Sequence, residues 1–330
     1  MRTPRWWYEP DNPLARLAAV ALSPLAAIWA RATARRLRVG RPVAAGVPVI
    51  CVGNATLGGS GKTPVAAALA ARLASRGAHI LCSGHRGRIR GPARVDPQAH
   101  GVRDVGDEAL LLARNAAVWV GRDRAAAAAR ARAAGARALI MDDGHQNPSL
   151  EKTLAILVVD GDTRAGQWPF GTGAIFPAGP MREPLRSALQ RADAVLAVLP
   201  KGEALDPRLQ RLLAAKPLLT ARLQPREPAP SGRRLAFAGI AKPWKFAEAL
   251  EAAGCDLVGF AALGDHRIPS EAWLRKLERR AARLQAGLIT TEKDWVRLPD
   301  SWRRRIRPWP VEIQFDDEAA VDALLSRALG

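Results

Sequence analysis

Between Pro48 and Pro64 an apolar run, Val49-Ile50-Cys51-Val52, breaks into a glycine-rich loop that ends Gly61-Lys62-Thr63 and opens a helical pattern from Val65 to Leu73. Strand, loop and helix in that order make a phosphate-binding loop. Glycines let backbone N–H groups turn toward an anion, and the helix N-terminus adds partial positive charge. A lysine reaches the β/γ-phosphates, and the adjoining hydroxyl can ligate Mg²⁺. Pro64 suits the first helical turn, where its missing N–H costs nothing. One position departs from the pattern, since Thr56 stands where the first glycine of G-x-x-x-x-G-K-[ST] belongs. The nucleotide-binding residues expected from this stretch are Thr56, Leu57, Gly58, Gly59, Ser60, Gly61, Lys62 and Thr63; the bland alternative is a Gly-rich turn.

A chain of 330 residues is long for one core and suggests two domains. Its net charge of +19 invites three readings: a nucleic-acid partner, an anionic membrane surface with an acidic substrate, or compositional bias. Only eight of the 50 basic residues are lysines, and the Arg/Ala-rich tract from Arg122 to Arg137 reads most simply as a solvated helix. Charge alone therefore does not choose. The three cysteines, Cys51, Cys82 and Cys255, lie far apart, so neither a disulfide framework nor a zinc site is expected.

Leu17 to Ala30 is a run of fourteen uncharged residues with Pro24 near its middle. As a helix it would reach ~21 Å, short of the ~30 Å hydrocarbon core of a bilayer. Trp6, Trp7, Tyr8 and Trp29 flank it, and Arg31, Arg35, Arg36, Arg38 and Arg41 follow. Apolar body, aromatic edges and basic end read as a helix lying in a membrane interface. The rivals are a signal peptide and a helix packed on the protein's own core.

From Val47 to about Gln224 strands and helices alternate, the pattern of a parallel sheet covered by helices. The expected strands are Val49–Val52, Ile80–Cys82, Ala117–Val120, Ala138–Met141, Ala155–Val159 and Ala194–Val198. Functional groups should gather at their carboxyl ends. Pro225 to Gly232 reads as a linker into a smaller α/β unit that begins at the strand Leu235–Ala238. The expected division is 1–45 as an anchoring helix, 46–225 as the nucleotide-binding domain and 226–330 as a C-terminal domain.

Several constellations carry chemistry. The apolar strand ending Asp142-Asp143-Gly144 offers two carboxylates beside the loop, where Mg²⁺ shared with phosphates would be held; the alternative is a plain turn. Val105-Gly106-Asp107-Glu108 opens a helical pattern, either as first-turn acids or as a general base at a cleft. Gly264-Asp265-His266 lies in a loop, and His266 is a candidate for acid–base work. Arg182, in the Pro/Gly-rich stretch Gly171 to Pro184, either grips an anionic group of a substrate or pairs with Glu183. Thr290-Thr291-Glu292-Lys293-Asp294 suits a capped helix start.

Taken together these segments resemble one family, the tetraacyldisaccharide 4'-kinases. The resemblance rests on Val52-Gly53-Asn54 through Thr63-Pro64, Val105-Gly106-Asp107-Glu108, Asp142-Asp143-Gly144, Phe176-Pro177-Ala178-Gly179-Pro180, Phe237-Ala238-Gly239-Ile240 and Thr290-Thr291-Glu292-Lys293-Asp294. They run in family order over nearly the whole chain, and Thr56 also fits the family's loop. The resemblance implies a P-loop NTPase-like α/β fold with helices on both faces, a smaller C-terminal α/β domain and an N-terminal membrane-associated helix. It also implies Mg-ATP as donor, the 4'-hydroxyl of a lipid A disaccharide 1-phosphate as acceptor, and attachment to the cytoplasmic face of the inner membrane, with no nucleic-acid partner. Lys62 and Thr63 would bind phosphate and metal, Asp142 and Asp143 would serve the metal site, and Asp107 with His266 would ready the hydroxyl. Two departures stand out. Ser83-Gly84-His85-Arg86-Gly87 replaces the family's Ser-Arg-Gly-Tyr-Gly, and Asn147 stands where the family has a histidine. The weighed alternative is a P-loop ATPase or GTPase of the partitioning or metal-delivery type, using the basic surface for nucleic acid or a protein partner.

Overall fold

The chain runs through α1 (Pro13–Val39), β1 (Val49–Gly53), α2 (Lys62–Arg72), β2 (Ala78–Cys82), β3 (Ala93–Arg94), α3 (Val102–Val105), α4 (Asp107–Leu112), β4 (Ala117–Val120), α5 (Arg124–Ala133), β5 (Ala138–Asp142), β6 (Leu154–Asp160), α6 (Leu185–Gln190), β7 (Ala194–Leu199), α7 (Pro207–Leu213) and β8 (Leu218–Pro225). It continues through β9 (Arg234–Ala238), α8 (Trp244–Ala252), β10 (Leu257–Ala262), α9 (Glu271–Arg283), β11 (Gly287–Thr291), α10 (Glu292–Trp295), α11 (Asp300–Arg303), β12 (Arg307–Trp309), β13 (Val311–Phe315) and α12 (Glu318–Leu329). This computed structural model describes residues 4–9, 11–164, 168–265 and 267–330.

A nine-stranded sheet has the order β13-β8-β7-β6-β1-β5-β2-β4-β3. Its interior is parallel, and only the edge pairs β3–β4 and β8–β13 are antiparallel. Alternation along the central strands sends side chains to two cores. Ile50, Val52, Ile80 and Ile140 pack with α2 and α4, while Val49, Cys51, Leu81, Leu139 and Met141 pack with α5. All six expected strands are present within a residue or two of their expected ends. Because β1 lies between β5 and β6, successive crossovers leave in opposite directions beside it, opening a crevice at the strand ends.

The smaller lobe is a parallel sheet of order β10-β9-β11-β12, with α9 and α11 on one face and α8 on the other. The last segment corrects the expected division. β13 pairs with β8, and Val321, Leu324, Leu325 and Ala328 of α12 join the core against α2. Residues 226–330 therefore do not form one unit, since the chain crosses to the small lobe and comes back.

α1 is also longer than its uncharged stretch suggested. Asn12 caps it, accepting from the N–H groups of Leu14 and Ala15, and it runs for 27 residues. At ~1.5 Å per residue that is ~40 Å rather than ~21 Å. Pro24 does not end it. Its ring leaves the Val20 carbonyl without the usual i+4 donor, and the Ser23 hydroxyl donates to that carbonyl at 2.7 Å. Within the helix only Ala15, Ala26 and Thr33 are buried, whereas Leu17 (67% exposed), Val20 (69%) and Ile28 (62%) face outward. Packing on the protein's own core therefore does not explain this helix, which is long and apolar enough to cross a membrane.

Candidate active site

The glycine-rich loop leaves the carboxyl end of β1 and is held by a neighbour before it turns. Thr56 forms an antiparallel bridge with Met181, the Leu57 N–H donates to the Pro180 carbonyl at 2.7 Å, and the Arg182 N–H donates to the Ala55 carbonyl at 2.8 Å. Backbone pairing at Thr56 is why that position tolerates a side chain: here the loop is still extended. The tight turn comes later, with Gly58 at φ 109° and Gly61 at φ 84°. Gly61 caps α2, so Lys62 and Thr63 sit in its first turn, both buried.

Two neighbouring carboxylates end β5 in opposite electrostatic settings. Asp142 is buried, accepts from Thr63 Oγ1 at 3.3 Å, and has its carboxyl pushed up to about 7 by burial and by Glu108, against the pull of Lys62. Asp143 is half-buried, and Arg182 and Lys62 outweigh the cost of its desolvation and hold it well below the usual carboxylate range. Arg182 Nη1 reaches both Asp143 oxygens at 2.9 and 3.1 Å, and Lys62 Nζ lies 4.0 Å from Asp143 Oδ1. Arg182 thus pairs with Asp143. Glu183 pairs instead with Arg191, at 2.5 and 2.6 Å, and accepts from Gln146 Nε2 at 2.9 Å.

Asp142 Oδ1 and Ser60 Oγ are buried polar atoms without a hydrogen-bond partner among the described residues. An oxygen acceptor beside the Thr63 hydroxyl suits a hard cation, and a free hydroxyl in the loop suits a phosphate oxygen. Among the described residues no three His, Cys, Asp or Glu side chains converge as a metal cage. Mg²⁺ usually takes one or two protein oxygens and fills its remaining positions with phosphate and water.

The acids that open α4 face the small lobe. Arg297 donates through Nε to Asp107 Oδ2 at 2.8 Å, and its Nη1 reaches Asp294 Oδ1 and the Gly239 carbonyl, both at 2.8 Å. Lys293 Nζ meets Glu108 Oε1 at 2.8 Å. The expected partner of Asp107, His266, lies outside the described residues. Lys293 and Arg297 carried no role in the sequence reading. Their only signal was Thr291-Glu292-Lys293-Asp294, which does cap α10 through the Thr291 hydroxyl. Which acid each cation meets depends on how the lobes are apposed, and no local spacing encodes that.

The loop, Asp143, Glu108 and Lys293 share one cleft of about 1260 Å³, whose wall also includes Trp7, Trp29, Arg36, Phe176, Lys242 and Lys245. At its mouth Trp7 Nε1 donates to the Pro177 carbonyl and Trp29 Nε1 to the Arg182 carbonyl, each at 3.2 Å, and both indoles pack edge-on against Phe176. Lys242 and Lys245 bind Asp160 at the end of β6. Of the two departures, His85 and Arg86 line the cleft. Asn147 serves a turn, its Oδ1 accepting from the Ser149 N–H at 2.9 Å and hydroxyl at 2.6 Å.

The family model of tetraacyldisaccharide-1-P 4'-kinase, LpxK, matches residues 18–330. The tetraacyldisaccharide 4'-kinase of Phenylobacterium zucineum (strain HLK1) is 56% identical over 326 residues, covering 98% of each chain. The enzyme of the same name from Caulobacter sp. (strain K31) is 53% identical over 329 residues, again covering 98% of each. A crystal structure of LpxK from Aquifex aeolicus in complex with ATP superposes with a TM-score of 0.72 over 94% of this chain and 99% of that one. At 22% identity that likeness speaks to the fold alone. A family match over nearly the whole length, on a fold that brings the loop against the acids ending β5, places this chain in the tetraacyldisaccharide-1-phosphate 4'-kinase family.

Proposed function

We propose that this chain transfers the γ-phosphate of ATP to the 4'-hydroxyl of a tetraacyldisaccharide 1-phosphate, the lipid A disaccharide. The observation that carries the reading is the convergence of Lys62, Thr63 and Asp143 on a wall shared with Glu108, with Asp142 beside Asp143 and accepting from the Thr63 hydroxyl. The partitioning or metal-delivery ATPase is not favoured, because relatives matching the full length are 4'-kinases.

Phosphoryl transfer asks little covalent work of a protein; it asks for position and charge. The backbone N–H groups from Gly58 to Lys62 and the start of α2 cradle the phosphates, and the Lys62 ammonium reaches the β/γ oxygens. Thr63 and Asp142 would hold Mg²⁺, with Asp143 orienting Lys62 while Arg182 keeps it ionised. When bound there, Mg²⁺ neutralises charge shared by the β- and γ-phosphates. Asp107 and His266 ready the acceptor: as the 4'-oxygen bonds to the γ-phosphorus and the bond to ADP breaks, the hydroxyl proton passes to this pair. Such proton transfer is typically worth ~10²–10⁴-fold in rate. Arg182 borders the same cleft and is offered as a contact for the acceptor's anionic group, although its guanidinium is already engaged by Asp143.

The outer face of α1 and its basic end suit attachment to an anionic bilayer. Because ATP is the donor, that membrane is the inner one, approached from its cytoplasmic side. The deciding experiment is label transfer from γ-labelled ATP to a lipid A precursor in detergent, with and without Mg²⁺. Transfer that needs both the lipid and Mg²⁺ is expected, and nucleotide hydrolysis indifferent to the lipid would overturn the reading. Asp107→Ala should abolish turnover with nucleotide affinity nearly intact, whereas Lys62→Ala should impair nucleotide use itself.

A further inference from the structure

Among the described residues the small lobe meets α4 and the turn that follows it through three cross-lobe ion pairs from α10 and the turn after α10. Glu292 lies 3.8 Å from Arg114, Lys293 donates to Glu108 at 2.8 Å, and Arg297 donates to Asp107 at 2.8 Å. Of these pairs only Lys293–Glu108 has both members on the cleft wall. Lys62 lines the same wall, and the charges of two acids act on its ammonium there. Asp143 lies 4.0 Å away and is held by a cation of its own, Arg182. Glu108 is the second, and its own cation comes from the other lobe.

The charges behave accordingly. Burial pushes the Glu108 carboxyl up, but Lys293 and then Lys62 outweigh it and hold it below its ordinary value. Burial lowers the Lys293 ammonium, and Glu108 with Asp107 reverses that. A carboxylate left in this wall without Lys293 would still be drawn by Lys62 on the same wall. Removing one partner of a desolvated pair leaves the other uncompensated, and it then seeks the nearest opposite charge.

We propose that Lys293 is a positioning residue of the phosphoryl-transfer site: by neutralising Glu108 from the small lobe, it leaves the Lys62 ammonium available to the β/γ-phosphates of the nucleotide. The inference rests on the reading of Lys62 as the phosphate lysine. It also makes nucleotide affinity depend on contact between the lobes. Within the large lobe Arg182 does for Asp143 what Lys293 does for Glu108 from outside it.

The test is equilibrium binding of ATP and of AMP to the full chain in detergent, without acceptor. Lys293→Met should weaken ATP binding about ten-fold or more while leaving AMP, which has no β-phosphate for Lys62, within about two-fold. Lys293→Arg should restore ATP affinity. The decisive variant is the double substitution Lys293→Met with Glu108→Gln, which removes the uncompensated carboxylate. Its ATP affinity should return to within about three-fold of Glu108→Gln alone. Lys293 would be mere glue between the lobes if Lys293→Met weakened ATP and AMP alike, or if the double variant bound ATP no better than Lys293→Met. Unchanged ATP affinity in Lys293→Met would also overturn the proposal. Failure of the parent chain to bind ATP would instead overturn the reading of the phosphate loop.

Discussion

Arg182 joins Asp143 to the beginning of the phosphate loop: its Nη1 donates to both carboxylate oxygens, at 2.9 and 3.1 Å, while its Nε donates to the Thr56 carbonyl at 3.0 Å. One rigid guanidinium thus fixes the end of β5 against the exit of β1. An ammonium is a point charge and cannot make both contacts. Arg182→Lys is therefore expected to lower kcat by about 10–100-fold with a small change in Tm. Steady-state kinetics on both substrates decide what is lost. A rise confined to the KM of the lipid acceptor would instead show that the guanidinium binds substrate directly.

Asp142 sets a pH dependence of stability whose sign is opposite to that of most carboxylates. Its carboxyl stands at about 7 in the folded chain against an ordinary 3.8, so the fold binds that proton more tightly than the unfolded chain does. The associated stability is fully present below about pH 4 and is lost as the pH rises to about 7. Asparagine imitates the protonated acid. In metal-free, nucleotide-free protein, Asp142→Asn should melt higher than the parent, by a margin that grows between about pH 4 and 7 and is then constant. Added Mg²⁺ with nucleotide should stabilise the parent and leave the variant nearly unmoved. A margin flat across the whole pH series would contradict this assignment.

Much of this site was legible in the chain because its parts are local. Glycines, lysine and hydroxyl follow one another in the loop, and β5 announces its two acids by ending an apolar run. Thr56 looked anomalous only because the pattern says nothing of Met181, 125 residues later, whose backbone pairs with it. The partners of Asp107, Glu108 and Arg182 were not legible, since each ion pair closes across lobes or across the sheet. The same holds for β13, whose alternating Val311, Ile313 and Phe315 resemble any edge strand. Nothing local says that this strand returns to β8 rather than extending the small sheet. In α1 the uncharged stretch is only the middle of the helix; Asn12 as cap and the arginine-bearing final turns extend it at both ends, and Ser23 beside Pro24 keeps it continuous.

Arg297 is expected to matter first for stability. Its side chain is fully buried between Asp107 and Asp294, themselves almost wholly buried, so it compensates two carboxylates in the lobe interface. Arg297→Met leaves both without their shared cation, and breaking a buried pair from one side typically costs ~3–5 kcal/mol. A chemical-denaturation series should show that loss, with Arg297→Lys intermediate because one ammonium cannot reproduce the fork. Stability within about 1 kcal/mol of the parent would mean that water or another group compensates the acids.

The outer face of α1 can be separated from the fold by charge. Leu14, Leu17, Leu25 and Ile28 recur at three-, eight- and three-residue steps along one stripe, at 54 to 76% exposure. The buried Ala15, Ala26 and Thr33 share the opposite stripe, with Trp29 beside them reaching Arg182. A lipid-facing role and a cleft-facing role thus occupy different sides of one helix. Burying a leucine or isoleucine in the bilayer is worth ~1.5–3 kcal/mol, and a glutamate there reverses the term, so Leu17→Glu with Ile28→Glu should reduce partition onto anionic vesicles by at least about 10²-fold. Both side chains already face outward, so Tm in detergent should stay within about 2 °C of the parent. Cosedimentation with vesicles measures the first quantity and thermal melting the second. High salt alone should release little of the parent, because the apolar stripe is insensitive to screening. If salt frees the parent, or the double variant still pellets, the arginines from Arg31 to Arg41 rather than the apolar stripe hold the chain to the bilayer.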